Sequence, residues 1–184
     1  MKTCLIAINA KYVHTSLAPW YLASEYDGDL SVFEWNINLP PEGLIEEIKA
    51  AQPDVIGISC YIWNIAYVRR LLPLLPTAKI VLGGPEVSYH QEHVFEEFKQ
   101  VDFLISGEGE EPFRQLLFAL ENNGNLAISG VSQRGHISAP YVGSGTPKNP
   151  YSAEYLESVN GKLTYLEASR GCPFSCSFCL SGRF

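Results

Sequence analysis

Residues 54–87 read DVIGISCYIWNIAYVRRLLPLLPTAKIVLGGPEV, and they decide the fold. The first eight, DVIGISCY, are almost all apolar, the composition of a strand covered on both faces. NIAYVRRLLPLL then has helical spacing, and AKIVLGG returns to a short apolar strand before a Gly-Gly-Pro turn. A strand, a helix and a second strand in so short a span imply a parallel sheet wrapped by helices.

The same alternation extends in both directions. TCLIAIN at residues 3–9 predicts a buried first strand, and SLAPWYLASEYD a helix with Pro19 near its start. LSVFEWNI predicts the second strand, and PEGLIEEIKAAQPD a helix opened by Pro41. After the fourth strand, HQEHVFEEFKQ predicts a helix and VDFLISG a fifth strand. EEPFRQLLFALENNG then predicts a helix ended by Gly124. Residues 1–124 thus form an α/β unit, a doubly wound five-stranded parallel sheet. Its ligand site is expected beyond the carboxyl ends of the strands.

From Asn125 the pattern changes. LAISGVSQRGHIS reads as a short β excursion, and APYVGSGTPKNPYS as a linker, so 125–160 is set apart from the sheet. GKLTYLEASRG predicts the start of a new strand in a third unit, 161–184.

Thirteen Lys and Arg against twenty Asp and Glu give a net charge of −7, which disfavours a general nucleic-acid binder. No apolar run approaches the roughly 18 residues of a membrane span, and no cleavage site follows the first apolar run. A cytoplasmic protein without membrane contact is expected. Trp20, Trp35 and Trp63 are read as core for at least two of the three, and His90, His93 and His136 as surface residues.

The five cysteines are an odd number, and three cluster as Cys172, Cys176 and Cys179 in the spacing C-x3-C-x2-C. That pattern fits metal ligation better than a disulfide framework. Zinc sites take four ligands from paired units, and no second pair is present. Three thiolates on a [4Fe–4S] cluster would leave one iron open to another ligand. A zinc knuckle or three incidental thiols remain the alternatives. Cys4 and Cys60 lie inside predicted strands and are read as small core residues.

SRGCPFSCSFC resembles the cluster motif of the radical S-adenosylmethionine superfamily, which follows the first strand of a β/α barrel. The resemblance implies a [4Fe–4S] cluster on Cys172, Cys176 and Cys179. S-adenosylmethionine would chelate the open iron, with Phe178 near its adenine. An electron donor such as flavodoxin or ferredoxin is implied as partner, with an unknown small-molecule or macromolecular substrate.

The unit in front resembles the Rossmann-like, flavodoxin-like cobalamin-binding domain that often precedes such a barrel. DVIGISCY, KIVLGGPEV and VDFLISGEGEEPF match its third, fourth and fifth strands with their turns. The implied cobalamin contacts are Ser59, Gly83, Gly84, Pro85, Gly107, Glu108 and Gly109. Ser59 would hydrogen-bond the nucleotide tail, the Gly-Gly pair would let backbone approach the ligand, and the 107–109 turn would offer N–H groups. Each turn alone is also ordinary in a doubly wound sheet.

Members that ligate cobalt from below carry D-x-H-x-x-G after the first strand. Here YVHTSL places Tyr12 for Asp and Leu17 for Gly, so base-off cobalamin without a histidine ligand is expected. His14 is read as a loop residue capping the next helix.

NAKYVHTSLAPWYLAS and YLEASRGCPFSCSFCLSG together resemble a bacterial subgroup of these B12-domain radical proteins. The chain would be the front part of a longer radical enzyme, acting by methyl transfer or another radical transformation. It would be inactive alone and improvised or flexible after about residue 150. The alternative is a docking or substrate-binding domain that no longer takes cobalamin.

Overall fold

The computed structural model describes every residue except Ser144, Pro173, Ser175, Phe178, Leu180 and residues 181–184. Six strands form one open sheet in the order β2-β1-β3-β4-β5-β6. The strands are β1 (Thr3–Asn9), β2 (Leu30–Asn36), β3 (Val55–Ser59), β4 (Lys79–Gly83), β5 (Phe103–Ile105) and β6 (Val131–Gln133). The first five are parallel, as the sequence predicts. The order reverses between β1 and β3, so the switch point opens at their carboxyl ends.

Period-two alternation sorts the strand residues onto two faces. Ile6, Ile8, Ile56, Ile58, Ile80 and Leu82 form one core with α2 (Pro41–Ala51), α3 (Ile65–Leu71) and α5 (Gln91–Glu97). Leu5, Val55, Val81, Phe103 and Ile105 form the other, under α6 (Glu110–Glu121) and beside α1 (Ala18–Ser24). Each helix buries a narrow stripe. In α2 it is Leu44, Ile45 and Ile48, and in α6 it is Phe113, Leu116 and Leu117. Pro41 opens α2, where its missing N–H costs nothing, and Gln52 closes it at φ 50°. At the end of α6 the left-handed residue is Asn123 (φ 49°), while Gly124 N donates to the Ala119 carbonyl. A short helix α4 (Pro85–Ser88) follows the Gly-Gly turn, and no sequence signal had separated it from the loop.

Four expectations need correction. The β excursion is part of the sheet, because β6 pairs antiparallel with β5 through Ile105–Val131 and Phe103–Gln133. Directly after the stretch read as linker, still within 125–160, lies an unread helix α7 (Ala153–Ser158), capped by Ser152, whose Oγ accepts from Tyr155 N at 3.2 Å. The strand expected from residue 161 is reduced to one bridge, Leu163 beside His14. Nor is the described segment after 150 improvised. Tyr155 is fully buried, edge-on to Trp20 at 5.6 Å and to Tyr151 at 5.5 Å. Thr15 Oγ1 donates to the Leu163 carbonyl at 3.1 Å. Glu34, whose side chain is 8% exposed, receives Trp20 Nε1 and Asn9 Nδ2 and faces Lys162 Nζ at 3.7 Å.

Trp20 and Trp35 are half-buried at the margins of the body, while Trp63 is exposed. Cys4 and Cys60 are core residues as read. His90, His93 and His136 are on the surface. Among the described residues no helix is long and apolar enough to cross a membrane.

Candidate functional site

A cavity of about 680 Å³ opens at the carboxyl ends of β3, β4 and β5 and runs down the α1/α6 face of the sheet. That volume lies within the usual range for small-molecule and cofactor sites. Its floor is apolar, from Leu5, Val81, Ile105 and Phe113. The seven residues singled out from the sequence, Ser59, Gly83, Gly84, Pro85, Gly107, Glu108 and Gly109, all line it.

Strand register explains why there is a trough here. Gly57 lies between Leu5 and Val81 in adjacent strands, and one pleat further on Ser59 pairs with Gly83, which pairs with Ile105. Gly57, Ser59 and Gly83 therefore put two hydrogens and one hydroxymethyl group where a parallel sheet normally carries Val or Ile. The sheet face is lowered at that point; over Gly57 the Leu5 and Phe113 side chains lean in, and beside Gly83 the space stays open to the cavity.

The glycines divide into two kinds. Gly84 has φ 106°, and a Cβ there would lie 2.5 Å from the Cys60 carbonyl oxygen. Gly107 has φ 84°, and its Cβ would lie 2.0 Å from the Tyr141 carbonyl oxygen. Both are required by the backbone itself. Gly83 is different, because its Cβ would meet nothing closer than 3.6 Å, an ordinary contact. Packing does not require glycine at 83, so the open space beside it is what the residue preserves. That space is an apolar slot with glycine backbone at its edge. The sequence reading assigned ligand approach to both members of the Gly-Gly pair; the fold accounts for Gly84 by itself.

The rim is polar and carries residues that sequence reasoning missed. Tyr21 of α1, Glu110 at the start of α6, and Glu167 and Arg170 of the carboxy-terminal segment all face the cavity. Arg170 Nη2 lies 2.6 Å from Glu110 Oε1 and its Nε 2.7 Å from Glu167 Oε1, and its guanidinium rests 4.5 Å from the Tyr21 ring centre. Burial would depress the guanidinium, but the hydrogen bonds to Glu167 and Glu110 outweigh it and raise its pKa. Burial likewise pushes the Glu167 carboxyl up, yet Arg170 and the Tyr21 hydroxyl together hold it below the ordinary carboxylate range. Gly57 had a signal that could have been used, a glycine inside an apolar strand. Arg170 had none, since its partners at 108 and 110 are about sixty residues away in sequence.

His14 and the three clustered cysteines are not among the residues lining the cavity. His14 does not cap α1, whose N-cap Leu17 has no side-chain partner. Its Nδ1 instead lies 2.5 Å from the Tyr165 hydroxyl. Cys172 and Cys176 are exposed and Cys179 is half-buried, with Cys179 N donating to the Cys176 carbonyl at 3.1 Å. Among the described residues no three His, Cys, Asp or Glu side chains are gathered closely enough to hold a metal. As placed, these thiols do not form a cluster site. Phe178 lies outside the described residues.

The chain is similar in sequence and fold to known proteins. The cobalamin-dependent radical SAM methyltransferase TokK of Streptomyces tokunonensis is 32% identical over 180 residues, covering 86% of this chain and 26% of that enzyme. An anaerobic magnesium-protoporphyrin IX monomethyl ester cyclase of Cereibacter sphaeroides is 26% identical, covering 78% of this chain and 27% of its own. The chain thus spans about a quarter of the length of these relatives. The fold matches the cobalamin-dependent S-adenosylmethionine radical enzyme OxsB with aqua-cobalamin bound. There the TM-score is 0.75 at 22% identity, over 97% of this chain and 28% of that one. The model of the B12 binding domain matches residues 3–117, which take in all five parallel strands and every cavity residue up to Phe113, and the chain belongs to that family.

Proposed function

We propose that the cavity takes cobalamin and that the chain supplies the cobalamin-binding part of a radical S-adenosylmethionine enzyme. The observation that carries this reading is the trough of Gly57, Ser59 and Gly83, where glycine at 83 has no packing cause. It is supported by membership of the B12 binding family and by relatives that are cobalamin-dependent radical SAM enzymes.

The slot over Leu5, Val81 and Phe113 would take an apolar part of the cofactor's tail, with Ser59 as hydrogen-bond partner at its edge. Backbone at Gly83 and Gly109 would pack against the bulkier part. Bound there, cobalamin supplies a cobalt centre able to carry a methyl group or exchange an electron. Tyr12 stands where a ligand-orienting carboxylate would be needed, and His14 is engaged by Tyr165, which supports a base-off mode without histidine.

Cys172, Cys176 and Cys179 are read as ligands of a [4Fe–4S] cluster that presents S-adenosylmethionine, on the strength of their spacing and of the relatives. Among the described residues these thiols are not gathered around a common point. Methyl transfer is the favoured reaction class, following the methyltransferase among the relatives.

Absorbance titration of the folded chain with hydroxocobalamin tests the site. Saturation near one equivalent, weakened by bulk at Gly83, supports it. A folded chain that leaves the cofactor free at concentrations well above micromolar would instead be a docking domain.

A further inference from the structure

We propose that Arg170 is a positioning residue that ties the segment leading into Cys172 to the rim of the cavity, so that filling the cavity also fixes that segment. This rests on the reading of the cavity as a cobalamin site.

One guanidinium makes all the connections. Its Nε and Nη2 hold Glu167, at 2.7 and 3.1 Å, in a two-pronged pair within the segment. Nη2 also reaches Glu110 Oε1 at 2.6 Å, and Nη1 stands 3.7 Å from Glu108 Oε2. The Tyr21 ring lies beneath it at 4.5 Å. Tyr21, Glu108, Glu110, Glu167 and Arg170 all line the cavity, and Cys172 follows two residues later.

The two sides of this contact differ in rigidity. The rim is braced from behind, where Glu108 N donates to the Tyr141 carbonyl at 3.0 Å, Tyr141 N donates to Ser106 O at 2.9 Å, and α6 begins at once. Residues 164–171 have no helix or strand and lean on the body through few bonds, Glu167 N to the Tyr151 hydroxyl at 3.0 Å among them. Three carboxylates, Glu108, Glu110 and Glu167, meet at the mouth. Without Arg170 they would repel, and the segment would be the part that moves. A ligand packed against Gly109 touches the same short turn that carries Glu108 and Glu110, so its presence is felt by Arg170 directly.

Hydrogen–deuterium exchange of the chain, with and without hydroxocobalamin, tests the coupling. In the parent chain the cofactor should slow exchange across residues 166–172 at least threefold. Glu110→Gln takes the charge from a clamp partner about sixty residues from the cysteines, reducing an ion pair to at most a hydrogen bond onto a neutral amide, and Arg170→Ala removes the clamp itself. Both residues line the cavity, so each variant is compared at cofactor concentrations that saturate it by absorbance. There the ligand-dependent slowing should vanish. A variant that does not bind is judged by its ligand-free exchange across 166–172, faster than the parent's if Arg170 holds the segment and unchanged if it does not. Glu110→Gln keeps the test valid if Arg170→Ala fails to fold. The proposal is overturned if cofactor binds without slowing the segment, or if Glu110→Gln shows the same slowing as the parent. Absence of binding to the parent overturns the cobalamin reading instead. The clamp is then decided by ligand-free exchange of 166–172, faster in Glu110→Gln if Arg170 holds the segment and unchanged if it does not.

Discussion

The Asn64 side chain crosses the switch point of the sheet, its Nδ2 donating to the Ile8 carbonyl at the end of β1 at 3.1 Å. The same nitrogen donates to Ser59 O at the end of β3 at 2.9 Å, while Oδ1 accepts from Tyr61 N at 2.8 Å. One fully buried amide thus satisfies three backbone groups left open where β1 and β3 part to make room for the cavity. Asn64→Ala strands all three and should cost about 3 kcal/mol. For a chain of this size that is a fall of roughly 6–12 °C in Tm. Asn64→Asp should be no better, since a carboxylate cannot donate to two carbonyls. Thermal melts that leave either variant within a degree or two of the parent would contradict this account.

Gly83→Ala and Gly84→Ala should separate binding from stability. The Cβ at 83 has room, so its melt should match the parent within roughly 0.5 kcal/mol, while hydroxocobalamin affinity falls at least tenfold, about 1.4 kcal/mol. The Cβ at 84 would meet backbone oxygen at 2.5 Å with φ at 106°, so the second variant should lose about 1–3 kcal/mol of stability before any ligand is added. Equal melts for the two, or unchanged affinity for Gly83→Ala, would count against the division drawn between these glycines.

The central parallel strands were legible because they are buried on both faces and largely apolar, as in IAI of β1 and VIGIS of β3. The half-buried edge strand β2 showed through its Val, Phe and Trp. The sixth strand was read as a β excursion but not as part of the sheet, because its place comes from antiparallel pairing with β5, which no local pattern encodes. The helix α7, only six residues long, went unread behind a Pro/Gly/Ser-rich stretch. It is fixed by Tyr155 meeting Trp20, a contact 135 residues apart that no local pattern encodes. At the site, the turns after β4 and β5 announced themselves by paired glycines. Gly57 looked like one more strand residue, and Arg170 acquires its role only when Glu108 and Glu110 fold beside it.

The thiols should fall into two classes. Burial, reinforced by the Asp29 carboxylate, pushes Cys4 up to about 11, and burial with the Glu86 carboxylate raises Cys60 as well. At pH 8 iodoacetamide should modify exposed Cys172 and Cys176 readily and leave Cys4 and Cys60 intact until the chain is unfolded. The same shift has a stability consequence. A folded thiol that holds its proton longer than the unfolded one stabilises the fold fully below about pH 9, and that contribution is lost as pH rises through about 11. For Cys4 the loss approaches about 2–3 kcal/mol, so Cys4→Ala should flatten part of the alkaline limb of a stability–pH curve. An unchanged limb would assign the alkaline loss to other groups.

Tyr155 is the main anchor of the segment after residue 150. Its ring is enclosed by Trp20 and Tyr151, and its hydroxyl donates a long bond, 3.3 Å to the Tyr165 carbonyl, and also meets the Thr15 side chain. Burial of the ring should therefore outweigh that hydrogen bond in holding the segment down. Tyr155→Ala should cost about 3 kcal/mol locally, a rise of roughly 100-fold in the detached population. If opening is fast relative to cleavage, trypsin should cut at Lys162 faster by the same factor. Tyr155→Phe keeps the ring and should stay within about fivefold of the parent. The sheet should stay folded in both, since Tyr155 lies outside its two core clusters, though Trp20 fluorescence should shift to the red in Tyr155→Ala as its ring loses cover. Parent-like cleavage in Tyr155→Ala would mean that the contacts of Lys162 with Glu34, Tyr165 with His14 and Arg170 with Glu110 hold the segment without the anchor.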